Sequence, residues 1–450
     1  MTGTEETQQS ELAGVVRAVN EPSQARDIRT RWGWVEPSVW TRRMLVALET
    51  GVKGDKWFRL MDKVYAAGNL QAAFWAVWRK DGDPGVDGQT VKQFEDRQEA
   101  ELARLGEELR AGRYRPHPVR RCYIPKPGSR EKRPLGIPVV RDRVVQGALR
   151  HVIEPVFERE FAEHSYGFRP GRGCRPALEQ VEKLLDEGYT WVVDADLKSY
   201  FDTIPHDRLM ARVKERIADG PVLRLIEAFL KQGVMEELKG WEPSEQGTPQ
   251  GAVVSPLLAN VYLNPLDHEM ARQGYSMVRY ADDFVILCRS QAEAQRALAE
   301  VEAWVEREGL TLHPEKTRIV DTTQRGGFEF LGWHYERGLK WPREKSQQKL
   351  KDTVRQKTRR CNGQSLPEII GLLNRTLQGW KHYFDRGVLN VPQRLDKWIR
   401  MRLRSILRKR RHRKGRGRGL DHQRWPNGFF TALGLYSLTA AHVRTRQSHD

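Results

Sequence analysis

The spacing of apolar and polar positions divides the chain into stretches of different periodicity. Residues 1 to about 30 are poor in large apolar side chains and predict a flexible tail. From Trp57 to Trp78 apolar and basic residues recur at helical spacing, and Asp81-Gly82-Asp83-Pro84-Gly85 ends that helix. Residues 119–140 predict a strand pair, Cys122-Tyr123-Ile124 and Arg133-Pro134-Leu135-Gly136-Ile137, about a Pro127-Gly128 turn. From 142 to 335 helical patterns alternate with short strands, which predicts an α+β core. Beyond Trp341 the pattern becomes helical. Ser365-Leu366-Pro367-Glu368 is a capping box, and the helix it opens has Ile369, Leu373, Leu377, Trp380 and Phe384 on one face. Asn390-Val391-Pro392 opens another, with Leu395, Trp398, Ile399, Leu403, Ile406 and Leu407 inward.

Charge changes that picture in one region. The net charge of +18 and pI of about 9.8 suit a polyanionic partner, nucleic acid first. Residues 340–419 hold 25 Lys/Arg against 5 Asp/Glu, so they carry +20 and the remainder −2. Lys397, Arg400, Arg404, Arg408 and Arg411 recur at helical spacing opposite the apolar stripe, a face expected to present cations to phosphates. The Arg408-to-Arg418 tract has eight Lys/Arg in eleven residues with interspersed glycines, and is expected to order on a polyanion. Four scattered cysteines without a CxxC pair argue against a zinc site or disulfide framework and fit a reducing cytosol. The N-terminus lacks an apolar signal segment, and no run of 18 apolar residues exists; a bacterial cytoplasmic protein without membrane association is expected.

The candidate chemistry lies in carboxylates. Residues 277–280 and 284–287 are strand-like and are joined through Ala281-Asp282-Asp283. Two adjacent carboxylates at a hairpin tip repel each other unless a cation sits between them. Trp191-Val192-Val193-Asp194-Ala195-Asp196-Leu197 predicts another strand, with Asp194 and Asp196 on one face. An Asp-bearing strand beside an Asp-Asp hairpin is the layout that holds two Mg²⁺ ions for in-line phosphoryl transfer to a 3′-hydroxyl.

At these residues the sequence resembles a known family. Segments 193–202, 247–260 and 280–283 resemble motifs A, B and C of reverse transcriptases, and in detail the reverse transcriptase/maturases of bacterial group II introns. The likeness extends through Gly85-Val86-Asp87-Gly88, Ile124-Pro125-Lys126, Ile137-Pro138, and segments 165–173, 309–317 and 328–332, covering nearly all of residues 32–440. It implies a right-hand polymerase fold, with fingers and an antiparallel palm sheet, plus an α-helical thumb that doubles as maturase domain. The implied bounds are a tail over 1–30, an N-terminal extension over 31–80, fingers and palm over 81–335, the thumb over 340–412 and a basic DNA-binding segment over 413–450.

The resemblance implies an RNA-directed DNA polymerase using two Mg²⁺ ions, with Mn²⁺ as a substitute. Its expected partners are the intron RNA, an RNA template with DNA primer, target DNA and dNTPs, with a second copy of the chain as a further candidate. Asp196, Asp282 and Asp283 match the metal ligands, which favours Asp196 over Asp194. Phe201 matches the position that blocks a 2′-hydroxyl. Gln250 and Gly251 match the floor of the nucleotide site, where glycine admits close backbone approach. Lys126 and Arg133 match the cations that grip the triphosphate. Lys316 matches a lysine that protonates pyrophosphate, and Arg169 and Arg172 fall where phosphate contact is expected. No endonuclease module follows the thumb, so an endonuclease-lacking, class C-like protein that takes its primer from existing DNA ends is expected. The alternatives are a splicing cofactor that no longer polymerises, and a reverse transcriptase recruited to phage defence.

Overall fold

The computed structural model describes residues 28, 30–125, 132–236, 240–361 and 363–447; the expected tail as far as residue 27, the Pro127-Gly128 turn and Lys126 lie outside them. The chain forms two compact units. One combines the described residues through Pro116 with Val139–Glu160 and Val213–Ala228; the other combines His117–Pro138, Phe161–Arg212 and the chain from Phe229 onward. No limit of either unit falls at residue 80, because segments distant in sequence complete the first unit's core. Its centre is the helix Ala67–Trp78 against the helix Val140–Glu158. Gly147 gives Ala73 room to approach, and the buried Asn69 amide donates to Ala148 O at 3.0 Å and Lys63 O at 2.9 Å.

The second unit holds three sheets. Strands β1 (Val119–Pro125), β2 (Lys132–Ile137), β4 (Val234–Glu236) and β5 (Gly240–Glu242) form one, in the order β2-β1-β4-β5. The palm sheet has the order β6-β7-β3-β8, from β3 (Trp191–Asp196), β6 (Ser276–Tyr280), β7 (Asp283–Cys288) and β8 (Arg318–Asp321). Every pairing in it is antiparallel. The helices Ser255–Arg272 and Gln291–Arg307 pack on it, and Val192, Val193, Ala195 and residues 284–288 are fully buried there. The third sheet, β11-β10-β9, is a meander of β9 (Phe328–Phe330), β10 (Trp333–Glu336) and β11 (Leu339–Pro342). The α+β architecture with an antiparallel palm sheet and a helical thumb is as expected. No helix among the described residues is long and apolar enough to cross a membrane.

The thumb begins with helices Glu344–Lys357, Leu366–Tyr383 and Asn390–Arg410. The Ser365 hydroxyl accepts from Glu368 N and the Glu368 carboxylate from Ser365 N, closing the expected capping box. Residues 413–447 are not a separate basic segment: Trp425, Phe430 and Leu438 enter the same core as Leu373, Leu395 and Leu403. The Asp396 carboxylate, 4% exposed, accepts from Ser437 Oγ at 2.8 Å, Leu438 N at 3.1 Å and Thr439 N at 3.0 Å, which caps the helix Leu438–Gln447.

The basic stripe is corrected in the same way. Arg404 is buried and donates to Trp425 O at 2.9 Å and Asn427 Oδ1 at 2.8 Å; Arg408 pairs with buried Asp421 at 2.7 Å. These two cations are spent inside the fold, while Lys397 and Arg411 are exposed and Arg400 is half-buried. The tract after Arg408 is likewise ordered, with Arg408 Nε donating to Lys414 O at 2.8 Å and Gly417 N to Ser405 Oγ at 3.1 Å.

Replacing Asp396 by Ala leaves buried donors unpaired and should cost the thumb about 2–4 kcal/mol. Hydrogen exchange over Leu438–Gln447 checks this; unchanged protection there would refute the cap.

Candidate active site

The centre of the site is the β6–β7 hairpin. Tyr280 pairs with Asp283, so Ala281-Asp282 form a two-residue turn, with Ala281 in the left-handed region at φ +60°. An alanine holds that conformation only under constraint, and the constraint is Arg279. Its guanidinium is fully buried, and it donates to Ala281 O at 2.8 Å and Asn260 Oδ1 at 3.0 Å. The remaining face pairs in bidentate fashion with Asp267, with Nε to Oδ1 at 2.7 Å. Asn260 in turn donates to Gly167 O at 2.7 Å. Any Cβ at Gly167 would overlap the Ala281 nitrogen, so only glycine lets the chain pass the hairpin tip. Sequence inspection assigned no role to Arg279, Asp267 or Gly167, although an arginine inside an apolar strand was a usable signal.

Across the sheet Asp196 is directly opposite Asp283, and Asp194 is opposite Val285. The pairing therefore gathers Asp196, Asp282 and Asp283 at one end of the palm sheet. Burial, with Asp194, Asp196 and Asp282 as neighbours, pushes the Asp283 carboxyl up to about 8. Burial also raises Asp194 to about 6 against the pull of Arg318, and raises Asp282. The nearest counter-charges are Lys316, paired with Asp196, and Arg318, 3.3 Å from Asp194.

Crowded carboxylates held above their ordinary range are donors that a cation would stabilise. Among the described residues no three such groups already converge into an ion cage. Mg²⁺ does not need one, because it takes one or two carboxylates and completes its shell from water and substrate phosphates. The donor set fits a divalent ion shared with a triphosphate.

Gln250 donates to Asp202 Oδ2 at 3.1 Å, and its carbonyl accepts from Gly136 N at 2.7 Å. Gly251, at φ +108°, lies so close to Gly136 O that a Cβ would be 2.5 Å away. Phe201 packs edge-on against Phe168 (centroids 6.4 Å apart) and Tyr200, and Phe168 also lies 6.4 Å from the Tyr280 ring. Asp202, raised by burial against Arg121, Gln250 and Arg133, and the exposed Phe168 are neighbours that sequence inspection passed over. Arg133 is exposed on β2. Arg169 is a correction: it is 6% exposed, donates to Ala162 O and Ser165 O at 2.6 Å each, and staples its own loop instead of facing phosphate. Arg172 is held by Glu163 O and lies over the Tyr166 ring.

A family model described as reverse transcriptase (RNA-dependent DNA polymerase) matches residues 124–335, and one described as group II intron, maturase-specific domain matches 347–425. Protein YkfC of Escherichia coli is 37% identical over 289 residues, 55% of this chain and 74% of that protein. The group II intron-encoded protein LtrA of Lactococcus lactis is 41% identical over 169 residues, 38% of this chain and 28% of LtrA. A putative COX1/OXI3 intron 1 protein of Saccharomyces cerevisiae is 25% identical over 440 residues, 84% of this chain and half of that protein.

The raised carboxyls give a pH dependence of known sign. A group protonated more readily in the folded state contributes stability that is full below about pH 4 and is lost as pH rises towards 8. Asp283→Asn should flatten that decline. Thermal midpoints across this range measure it, and parallel curves for both proteins would refute the assignment.

Proposed function

This chain belongs to the reverse transcriptases, the RNA-directed DNA polymerases, and carries a group II intron maturase domain; from that premise we propose that it extends a DNA primer along an RNA template and binds, through its thumb, the intron RNA whose splicing and mobility it serves. The observation that carries this is the meeting of Asp196, Asp282 and Asp283 at one sheet end. These three carboxylates would hold the divalent ions, Mg²⁺ or Mn²⁺. When bound, such ions neutralise the attacking 3′-oxygen and the leaving pyrophosphate.

The chain's own residues do the rest. Lys316, paired with Asp196, would give a proton to the leaving pyrophosphate oxygen. Arg133, with Lys126, grips the incoming triphosphate as a bidentate donor. Gln250 is fixed by Asp202 and, with Gly251, lets backbone lie flat beneath the nucleotide. Phe201, braced by Phe168 and Tyr200, occupies the space a 2′-hydroxyl would need, so dNTPs are accepted and rNTPs refused. Lys397, Arg400, Arg411 and the exposed cations between Lys409 and Arg418 are the contacts offered to intron RNA and target DNA. Retention of all three carboxylates favours this over a splicing cofactor that no longer polymerises.

Asp282→Ala should lower Mg²⁺-dependent dNTP incorporation about a thousandfold or more while leaving intron RNA binding nearly intact. Primer extension paired with a filter-binding assay tests this, and retained synthesis would sink the ligand assignment. Phe201→Ala should raise rNTP use relative to dNTP about 10- to 100-fold in kcat/KM. An unchanged ratio would make Phe201 a packing residue only.

A further inference from the structure

Between strand β3 and the helix His206–Lys214 the chain makes a single helical turn, Tyr200–Thr203, which carries Phe201. Gly247 and Thr248 lie against this stretch and are joined to it by three hydrogen bonds. Gly247 N donates to Ile204 O at 2.8 Å, and Thr248 N donates to Phe201 O at 2.6 Å. The third bond comes from a side chain, His206 Nε2 donating to Gly247 O at 2.6 Å. A carbonyl oxygen only accepts, so the proton of this bond is on Nε2. His206, Gly247 and Thr248 are all buried. One peptide group is therefore held at both polar ends, its N–H by the Phe201 backbone and its C=O by His206. Gly247 is left-handed at φ +83°, and a Cβ there would lie 2.7 Å from Asp202 O, so glycine is required. A glycine on its N-terminal side leaves that peptide free to turn over, which would carry Thr248 N away from Phe201 O. Of the three bonds, only that of His206 depends on a side chain. The Phe201 ring is itself one ring removed from the β6–β7 hairpin, because Phe168 lies 6.4 Å from both Phe201 and Tyr280.

We propose that His206 is a positioning residue: by holding the Gly247 carbonyl it fixes the Phe201 ring relative to the Gln250-Gly251 segment, and so sets nucleotide affinity and the preference for deoxyribose. The inference rests on the nucleotide site proposed above. His206 acts through Gly247 and Phe201 without touching the substrate. Gln250 depends on the same joint, since it reaches back to Asp202 within the turn that carries Phe201. The three carboxylates do not, because the β3–β7 register gathers them and Arg279 with Asp267 holds the hairpin tip. Loss of the His206 bond therefore loosens the nucleotide site and leaves the chemical step nearly unchanged.

Primer extension by the full chain on an RNA template, with dNTP or rNTP varied, gives KM and kcat for each. Asparagine and glutamine at 206 carry the same amide and differ in reach. The glutamine nitrogen stands near the position of Nε2, and the asparagine nitrogen near that of Nδ1, short of Gly247 O. His206→Asn should raise the dNTP KM about five- to twentyfold and change kcat by less than about twofold. It should also lower the preference for dNTP over rNTP about three- to tenfold. His206→Gln should stay within about twofold of the wild-type chain in all three. In a Phe201→Ala background His206→Asn should lower the preference no further, because the ring it positions is gone. Asparagine and glutamine variants that behave alike, both normal or both impaired, would overturn the inference, as would a fall in kcat with KM unchanged. A His206→Asn chain that no longer folds, read by its thermal midpoint, would make the bond a general support of the fold and overturn the positioning role. A wild-type chain that adds no nucleotide would overturn the polymerase function and this inference together, whereas like behaviour of the two variants in an active enzyme overturns only the inference.

Discussion

Asp196, Asp282 and Asp283 are brought together against their own repulsion, in a place where water cannot fully screen them. Left to itself a two-residue turn bearing adjacent carboxylates would swing outward. It is kept in place by a buried arginine that donates to Asp267, to Asn260 and to the Ala281 carbonyl. Removing one partner from a buried pair of this kind costs about 3–5 kcal/mol, more than the hairpin would gain by relaxing its left-handed alanine, about 1–3 kcal/mol. The ion pair wins, and the sheet end stays crowded. The tight fit at Gly167, the β3–β7 register and the settling of Lys316 on Asp196 all follow from that fixed crowding.

What sequence made legible was local. The hairpin, the Asp-bearing strand and the capping box at Ser365 each depend on residues within a few positions of one another, so alternation and spacing expose them. What was hidden depends on partners supplied from afar. Arg404 and Arg408 follow the same helical spacing as Lys397 and Arg411, yet their acceptors arrive 13 to 23 residues later in Asp421, Trp425 and Asn427. No periodicity within the helix distinguishes a cation that will be consumed by the fold from one left in solvent. Arg169 was misjudged for a related reason: a glycine-rich turn with arginines suits phosphate, and equally suits an arginine that ties the turn's own carbonyls. The two compact units escaped sequence inspection too, since Val139–Glu160 and Val213–Ala228 join a core begun before Pro116.

The thumb shows the same division of labour among its charges. Its cations divide in two, some closing the core around Trp425 and Phe430 and others remaining exposed. A net-charge count therefore overstates the cationic surface that this part of the chain exposes.

Asp396 carries that dependence into time. Its three hydrogen-bonding partners follow it by 41 to 43 residues, so on the ribosome the helix Asn390–Arg410 appears with a buried carboxylate still unanswered. At bacterial and eukaryotic elongation rates that interval is roughly 2–8 s. During it the palm, complete in sequence, is free to fold ahead, while the apolar face of the thumb stays open to chaperones and to any RNA being made nearby.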